Sequence, residues 1–220
     1  MAPGAGAGRL TRPPPDRPAR APTRVCLAGT ATRLGRALAD GGRALADELL
    51  VAVIAVSSPG QDDRLLLEEL RQTADRHDVA FLVADDPGLA GELMADGVEI
   101  DWDQEKYTAA RARLRADRAV GCRVGTSRHR AMQAAESGAD YVRFVPASSG
   151  RGDVDVMIEI CEWWAEIFEV PCFAGAIGDR GAIAALCRAG VDFVVIDEDV
   201  PETVAGLLAA VAADQDVDSG

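Results

Sequence analysis

Short apolar runs rich in β-branched residues alternate along this chain with longer stretches in which apolar residues recur at helical spacing. The short runs are Arg24 to Ala28, Leu50 to Val56, Val79 to Ala84, Gly97 to Ile100, Ala119 to Arg123, Asp140 to Val145, Pro171 to Gly175 and Phe193 to Asp197. Their content suits strands covered on both faces, the habit of a parallel sheet. Between them, Leu65, Leu66, Leu70 and Ala74 define a helix over Asp62 to His77. Val156, Ile160, Trp163, Trp164 and Ile167 define another over Asp153 to Phe168. Strands alternating with helices are βαβ units.

A weak internal repeat strengthens the pattern. Ala95-Asp96-Gly97-Val98, Gly138-Ala139-Asp140-Tyr141-Val142 and Gly190-Val191-Asp192-Phe193-Val194 each carry a small residue, an aspartate and an apolar run. The aspartates are 44 and then 52 residues apart, about two βα units each. Eight units then fit residues 23–213, close to the lower size bound of about 200 residues for a (β/α)8 TIM barrel. The α/β fold expected is therefore a small (β/α)8 barrel. An open doubly wound sheet is the alternative, but no Gly-rich phosphate fingerprint follows the first strand. A seven-residue repeat, Gly35 to Asp40 and Gly42 to Asp47, places Leu38 and Leu45 on one face of a helix.

Composition bounds the rest. The 220 residues are 48% hydrophobic but only 5% aromatic, so aliphatic side chains must do most of the packing. Residues 1–22, with Arg12-Pro13-Pro14-Pro15, read as a disordered arm, and residues 214–220 as an acidic disordered tail. No stretch approaches the roughly 18 apolar residues of a membrane span, and the N-terminus lacks the apolar segment of a secretory signal. A cytoplasmic location with no membrane partner is the expectation. The formal charge of −13 argues against a nucleic-acid partner, itself a polyanion. Five cysteines without a CxxC pair suggest neither disulfide framework nor zinc site; Cys26, Cys122 and Cys172 are expected in the core. Lys106 is the only lysine, so arginine supplies nearly all the basic charge.

In such a barrel, chemistry belongs at the C-terminal ends of the strands. Those ends offer Asp85-Asp86, Glu99 with Asp101 and Asp103, Thr126-Ser127-Arg128-His129, Ser148 to Arg151, Gly175 to Gly178, and Asp197-Glu198-Asp199. Asp85 with Asp103 or Asp101 would hold a hard cation such as Mg²⁺ through oxygen, or serve as solvated loop acids. Asp86 before Pro87 reads as a helix N-cap. Ser127 and His129 open a helix, either contacting a ligand or, for Ser127, capping it. A rim carrying Asp85, Glu99, Asp101, Asp103, Asp197, Glu198 and Asp199 would repel pyrophosphate and attract divalent cations.

From Val79 onward the chain resembles the thiamine phosphate synthase and TenI-like barrels. The resemblance rests on Val83-Ala84-Asp85 with Leu89-Ala90, Ala95 to Ile100, Val124 to His129, Gly138 to Pro146, and Val170-Pro171 through Ala189-Gly190-Val191-Asp192. Glu162 to Glu169 is similar to a divergent bacterial branch of that family. The resemblance implies a transferase of thiamine biosynthesis that joins a hydroxymethylpyrimidine pyrophosphate to a thiazole phosphate with Mg²⁺. It implies metal ligation by Asp85 and Asp103, roles in catalysis for Ser127 and Arg151, and substrate or phosphate contacts from His129, Gly175, Ala176, Ile177 and Gly178. The family's cationic pair after strand 2 is Ser57-Ser58-Pro59-Gly60 here, Gln104 aligns with its second metal aspartate, and Arg151 stands near its strand-6 lysine. Two readings follow: an enzyme of this type with reworked phosphate contacts, or a TenI-like barrel that keeps the fold and binds a small molecule without the reaction. Of Trp163 and Trp164, adjacent and about 100° apart on a helix, one is expected buried; the other is the candidate contact for a homo-oligomer.

Overall fold

The structure, a computed structural model, describes residues 23–45, 50–56, 62–176 and 180–197. The expected arm and tail, Ser57-Ser58-Pro59-Gly60, Ile177-Gly178 and Glu198-Asp199 lie outside the described residues.

Eight parallel strands close into one barrel in chain order. They are β1 (Arg24–Thr30), β2 (Leu50–Val56), β3 (Ala80–Ala84), β4 (Gly97–Asp101), β5 (Ala119–Gly125), β6 (Tyr141–Phe144), β7 (Cys172–Ala176) and β8 (Phe193–Asp197). Helices follow in alternation: α1 (Ala31–Leu45), α2 (Asp62–Arg76), α3 (Pro87–Glu92), α4 (Gln104–Arg113), α5 (Arg128–Glu136), α6 (Arg151–Ile167) and α7 (Arg180–Arg188). Closure is made by β1 against β8, with Cys26 opposite Val195 and Ala28 opposite Asp197. That pairing removes the open-sheet alternative.

The repeated aspartates have a common physical job. The Asp96 carboxylate accepts the Phe81 N–H at 2.8 Å, and the Asp96 N–H donates to the Phe81 carbonyl at 2.8 Å. Asp140 does the same with both backbone groups of Val120, at 2.7 and 3.1 Å. Asp192 does so with Cys172, at 2.9 and 3.2 Å. Each aspartate thus pins the start of β4, β6 or β8 to the start of the strand before it. Its carboxylate takes the N–H of the first or second residue of that neighbour.

Strand alternation separates two apolar regions. One, including Val25, Leu27, Val53, Phe81, Val98, Val120, Val142 and Phe144, packs between the sheet and the helices. The other, including Cys26, Ala28, Ile54, Leu82, Tyr141, Phe173 and Val195, fills the barrel interior. Tyr141 stacks on Phe173 with ring centroids 4.1 Å apart. This large ring fits only because Gly121 faces it: a β-carbon there would lie 1.9 Å from the Tyr141 ring. Cys26, Cys122 and Cys172 are buried, as expected, and Cys161 joins them. On α6, Trp164 is fully buried, donates its indole N–H to the Val170 carbonyl at 2.8 Å and stacks on Phe168. Trp163 is half-buried, with the Arg128 guanidinium 4.8 Å from its ring centre. Leu38 is buried on α1.

Candidate functional site at the barrel mouth

The inward positions at the C-terminal ends of β4, β5, β6 and β8 are charged, and register makes them neighbours. Asp101 lies opposite Arg123 and Arg123 opposite Arg143. Burying such groups in an otherwise apolar barrel is tolerable only if each is paired. Glu99, fully buried, accepts from Arg143 Nη1 at 3.1 Å and from the Tyr141 hydroxyl at 3.3 Å. The same Glu99 oxygen lies 3.7 Å from Arg123 Nη1, so one carboxylate sits between two guanidiniums that would otherwise repel. Arg143 Nη2 donates to Asp197 at 3.0 Å. Arg123 donates from Nε to Asp101 at 2.9 Å and from Nη2 to Asp85. Asp85 reaches it because its backbone is left-handed, with φ 60°, a conformation Asp tolerates better than most residues. Its N–H is held by the Glu99 carbonyl at 2.8 Å.

The pairing sets the protonation states. Burial works against the charge on Arg123, but its hydrogen bonds to Asp85 and Asp101 and the field of Glu99 outweigh it and raise its pKa. Arg143 is likewise raised, burial being overcome by Glu99 and Asp197. Burial and the Glu99 carboxylate push the Tyr141 phenol well up, and burial pushes up the Cys26 thiol below it. Both arginines are fixed cations, and Tyr141 and Cys26 are fixed neutral groups. Among the described residues, Arg143 Nε is the buried side-chain polar atom without a hydrogen-bond partner.

Above this network lies a cavity of about 450 Å³, bounded by Gly29 and Thr30 at the end of β1 and Arg33 on α1, by Ile54, Val56 and Ala84, and by Glu99, Arg123, Arg143, Val145 and Asp197. The volume is that of a small-molecule pocket. Three guanidiniums and two carboxylates line it.

The residues singled out from sequence fall in different places. Asp85 joins the network through Arg123. Asp103 is the N-cap of α4, its carboxylate accepting the N–H groups of Glu105 and Lys106 at 3.0 Å. Ser127 caps α5, its hydroxyl accepting from Arg130 N at 3.3 Å. His129 is exposed on the first turn of α5, and Arg151 is exposed as the first residue of α6. Gly175 is buried in β7, where an added β-carbon would stand 3.8 Å from Arg143 Nη2. Ala176 ends β7 opposite Ile196. Asp86 caps α3, accepting from Leu89 N at 2.9 Å. The cavity wall therefore includes none of Asp103, Ser127, His129 or Arg151.

The strand-end acids do not stand alone: Asp85, Glu99, Asp101 and Asp197 are each paired with Arg123 or Arg143. The carboxylates also do not present a divalent-cation set as they stand. Asp103 is committed to backbone amides, and Asp85 and Asp101 surround a guanidinium. Among the described residues, no three His, Cys, Asp or Glu side chains converge on a point that would hold a metal ion. Arg33, Arg123 and Arg143 were missed as site residues. For Arg123 and Arg143 the available signal was an arginine at an inward position in an otherwise apolar strand, Gly-Cys-Arg-Val and Tyr-Val-Arg-Phe, which demands a carboxylate on a neighbouring strand.

A closed parallel barrel of eight strands alternating with helices, with a charged cavity at the C-terminal strand ends, defines a TIM barrel. Its family is set by comparison. The family described as thiamine monophosphate synthase matches residues 43–200, and this chain belongs to that family. It is 36% identical over 174 residues to the thiamine-phosphate synthase of Erythrobacter litoralis, covering 76% of this chain and 80% of that one. The thiamine-phosphate synthase of Rhodospirillum centenum is 40% identical over 150 residues, covering 66% and 72%. The solved thiamine phosphate pyrophosphorylase from Pyrococcus furiosus superposes with a TM-score of 0.70 at 19% identity, over 90% of this chain and 97% of that one, a likeness of fold. Among the described residues, no helix is long and apolar enough to cross a membrane.

Proposed function

We propose that this chain works in thiamine biosynthesis as a transferase of the thiamine-phosphate-synthase type, joining a hydroxymethylpyrimidine pyrophosphate to a thiazole phosphate in the mouth cavity. The observation that carries the reading is the placement of Arg33, Arg123 and Arg143 around one cavity in a member of this family. Guanidiniums match phosphate oxygens in planar, bidentate geometry. Glu99, Asp101 and Asp197 hold Arg123 and Arg143 in place, so their guanidiniums are preorganised donors for charge that develops on a departing pyrophosphate. The bond formed runs from the thiazole nitrogen to the pyrimidine methylene, and the bond broken releases pyrophosphate with its electron pair.

One observation favours a second reading, a TenI-like barrel that binds a small molecule without the reaction: Arg123 is paired with Asp85, which the resemblance implies as a metal ligand. A coupling assay with both phosphorylated halves separates the two. Formation of thiamine phosphate with stoichiometric pyrophosphate, greatly reduced in Arg143→Met, supports the transferase. Binding of thiamine phosphate without any turnover supports the second reading.

A further inference from the structure

The Arg123 side chain is four-fifths buried and is contacted by carboxylates from two neighbouring strand ends. Glu99 and Asp101 are two residues apart on β4 and so point the same way, while Asp85 turns in from the end of β3. Their oxygens are spread around the guanidinium at up to 3.7 Å rather than gathered on a point. We propose that Arg123 is the resident cation of the mouth: its guanidinium fills the place among Asp85, Glu99 and Asp101 that a divalent ion would take, and thereby excludes such an ion from the native chain. The proposal builds on the assignment of the mouth as the functional site, but its test does not depend on turnover.

Three features carry it. Arginine cannot shed its proton in this range, so the cation cannot be titrated away. Its five donors satisfy acids arranged on a plane, whereas a small hard ion requires six or more oxygens drawn close around it. Arg143 stands opposite Arg123 in register and shares Glu99 with it, so an entering divalent ion would face two guanidiniums. Removing Arg123 would leave Asp85 and Asp101, both mostly exposed, free to turn their carboxylates together beside Glu99.

The experiment is a Mn²⁺ titration followed by the electron paramagnetic resonance signal of the free ion, on wild type, Arg123→Ala and Arg123→Lys. Circular dichroism checks that each is folded. Wild type and Arg123→Lys should show no saturable site below millimolar Mn²⁺. Arg123→Ala should gain one site binding at least about tenfold tighter, a gain lost again in Arg123→Ala/Asp85→Asn. A saturable micromolar site in wild type, weakened by Asp85→Asn, overturns the proposal even if Arg123→Ala fails to fold. A folded Arg123→Ala with no gained site overturns it as well. Absence of thiamine phosphate formation would refute the transferase reading and leave these outcomes unaffected.

Discussion

Glu99→Gln is the perturbation that probes the mouth most sharply. Glu99 has no solvent exposure and holds Arg143 Nη1 at 3.1 Å, the Tyr141 hydroxyl at 3.3 Å and Arg123 Nη1 at 3.7 Å. Glutamine keeps the shape and one acceptor but removes the negative charge between two guanidiniums. Arg143 then retains only Asp197, whose side chain is half exposed and better screened. Breaking a buried ion pair from one side costs about 3–5 kcal/mol. With a urea m-value of about 2 kcal/mol/M, the midpoint should fall by about 1.5–2.5 M. Buried Trp164 supplies the fluorescence signal for unfolding. Replacing both partners, Glu99→Leu with Arg143→Met, removes the stranded charge. The double variant should be more stable than Glu99→Leu alone, with a coupling of at least about 2 kcal/mol. Single changes that each cost under about 1 kcal/mol and add within about 0.5 kcal/mol would refute the claim that the pair is desolvated and interdependent.

Gly121→Ala should lower the melting temperature by about 6–12 °C, because the new methyl meets the Tyr141 ring at 1.9 Å and overpacking there is worth about 3 kcal/mol; an unchanged melt would show the interior is looser than described. Asp96→Ala should destabilise by about 1–3 kcal/mol by leaving the Phe81 N–H without its carboxylate, and hydrogen exchange at that amide should speed up selectively. Burial pushes the Cys122 thiol up to about 12 and the Cys26 and Cys161 thiols upward too. The unfolded chain therefore loses these protons near pH 9 while the native one keeps them, so stability is intact below pH 9 and falls by up to about 1.4 kcal/mol per pH unit for each such thiol above it. Denaturant midpoints measured from pH 8 to 10.5 should decline, and a flat profile would contradict the burial of these thiols.

The fold was legible because its units repeat. Strand limits such as Leu50–Val56 and Phe193–Asp197 coincide with the apolar runs, and the Asp96, Asp140 and Asp192 turns betray the two-unit period through the clamp each makes on the preceding strand. Boundaries shifted where backbone bonding continued past the apolar run: β1 extends to Thr30 and β5 to Gly125, where a positive φ ends the strand. The site was less legible. Ser127 and Asp103 carry the signature of ligand contacts and of helix caps equally, and the local amides take them. Arg123 and Arg143 gave only the weak signal of an arginine within an apolar strand. Their meaning depends on which residues stand opposite them across the sheet, a relation of register that linear spacing does not encode. Counting carboxylates on strand ends likewise omitted the arginines that pair with them.

The central claim is that the cavity bounded by Gly29, Thr30, Glu99, Arg123, Arg143 and Asp197 is where this family member meets its phosphorylated ligands. A crystal structure of the protein with thiamine phosphate tests it most directly. The product should lie in that cavity, with its phosphate contacting at least one of Arg33, Arg123 and Arg143. Thiamine phosphate bound elsewhere on the barrel, with the Arg123 and Arg143 ion pairs intact and the cavity holding only water, would contradict it.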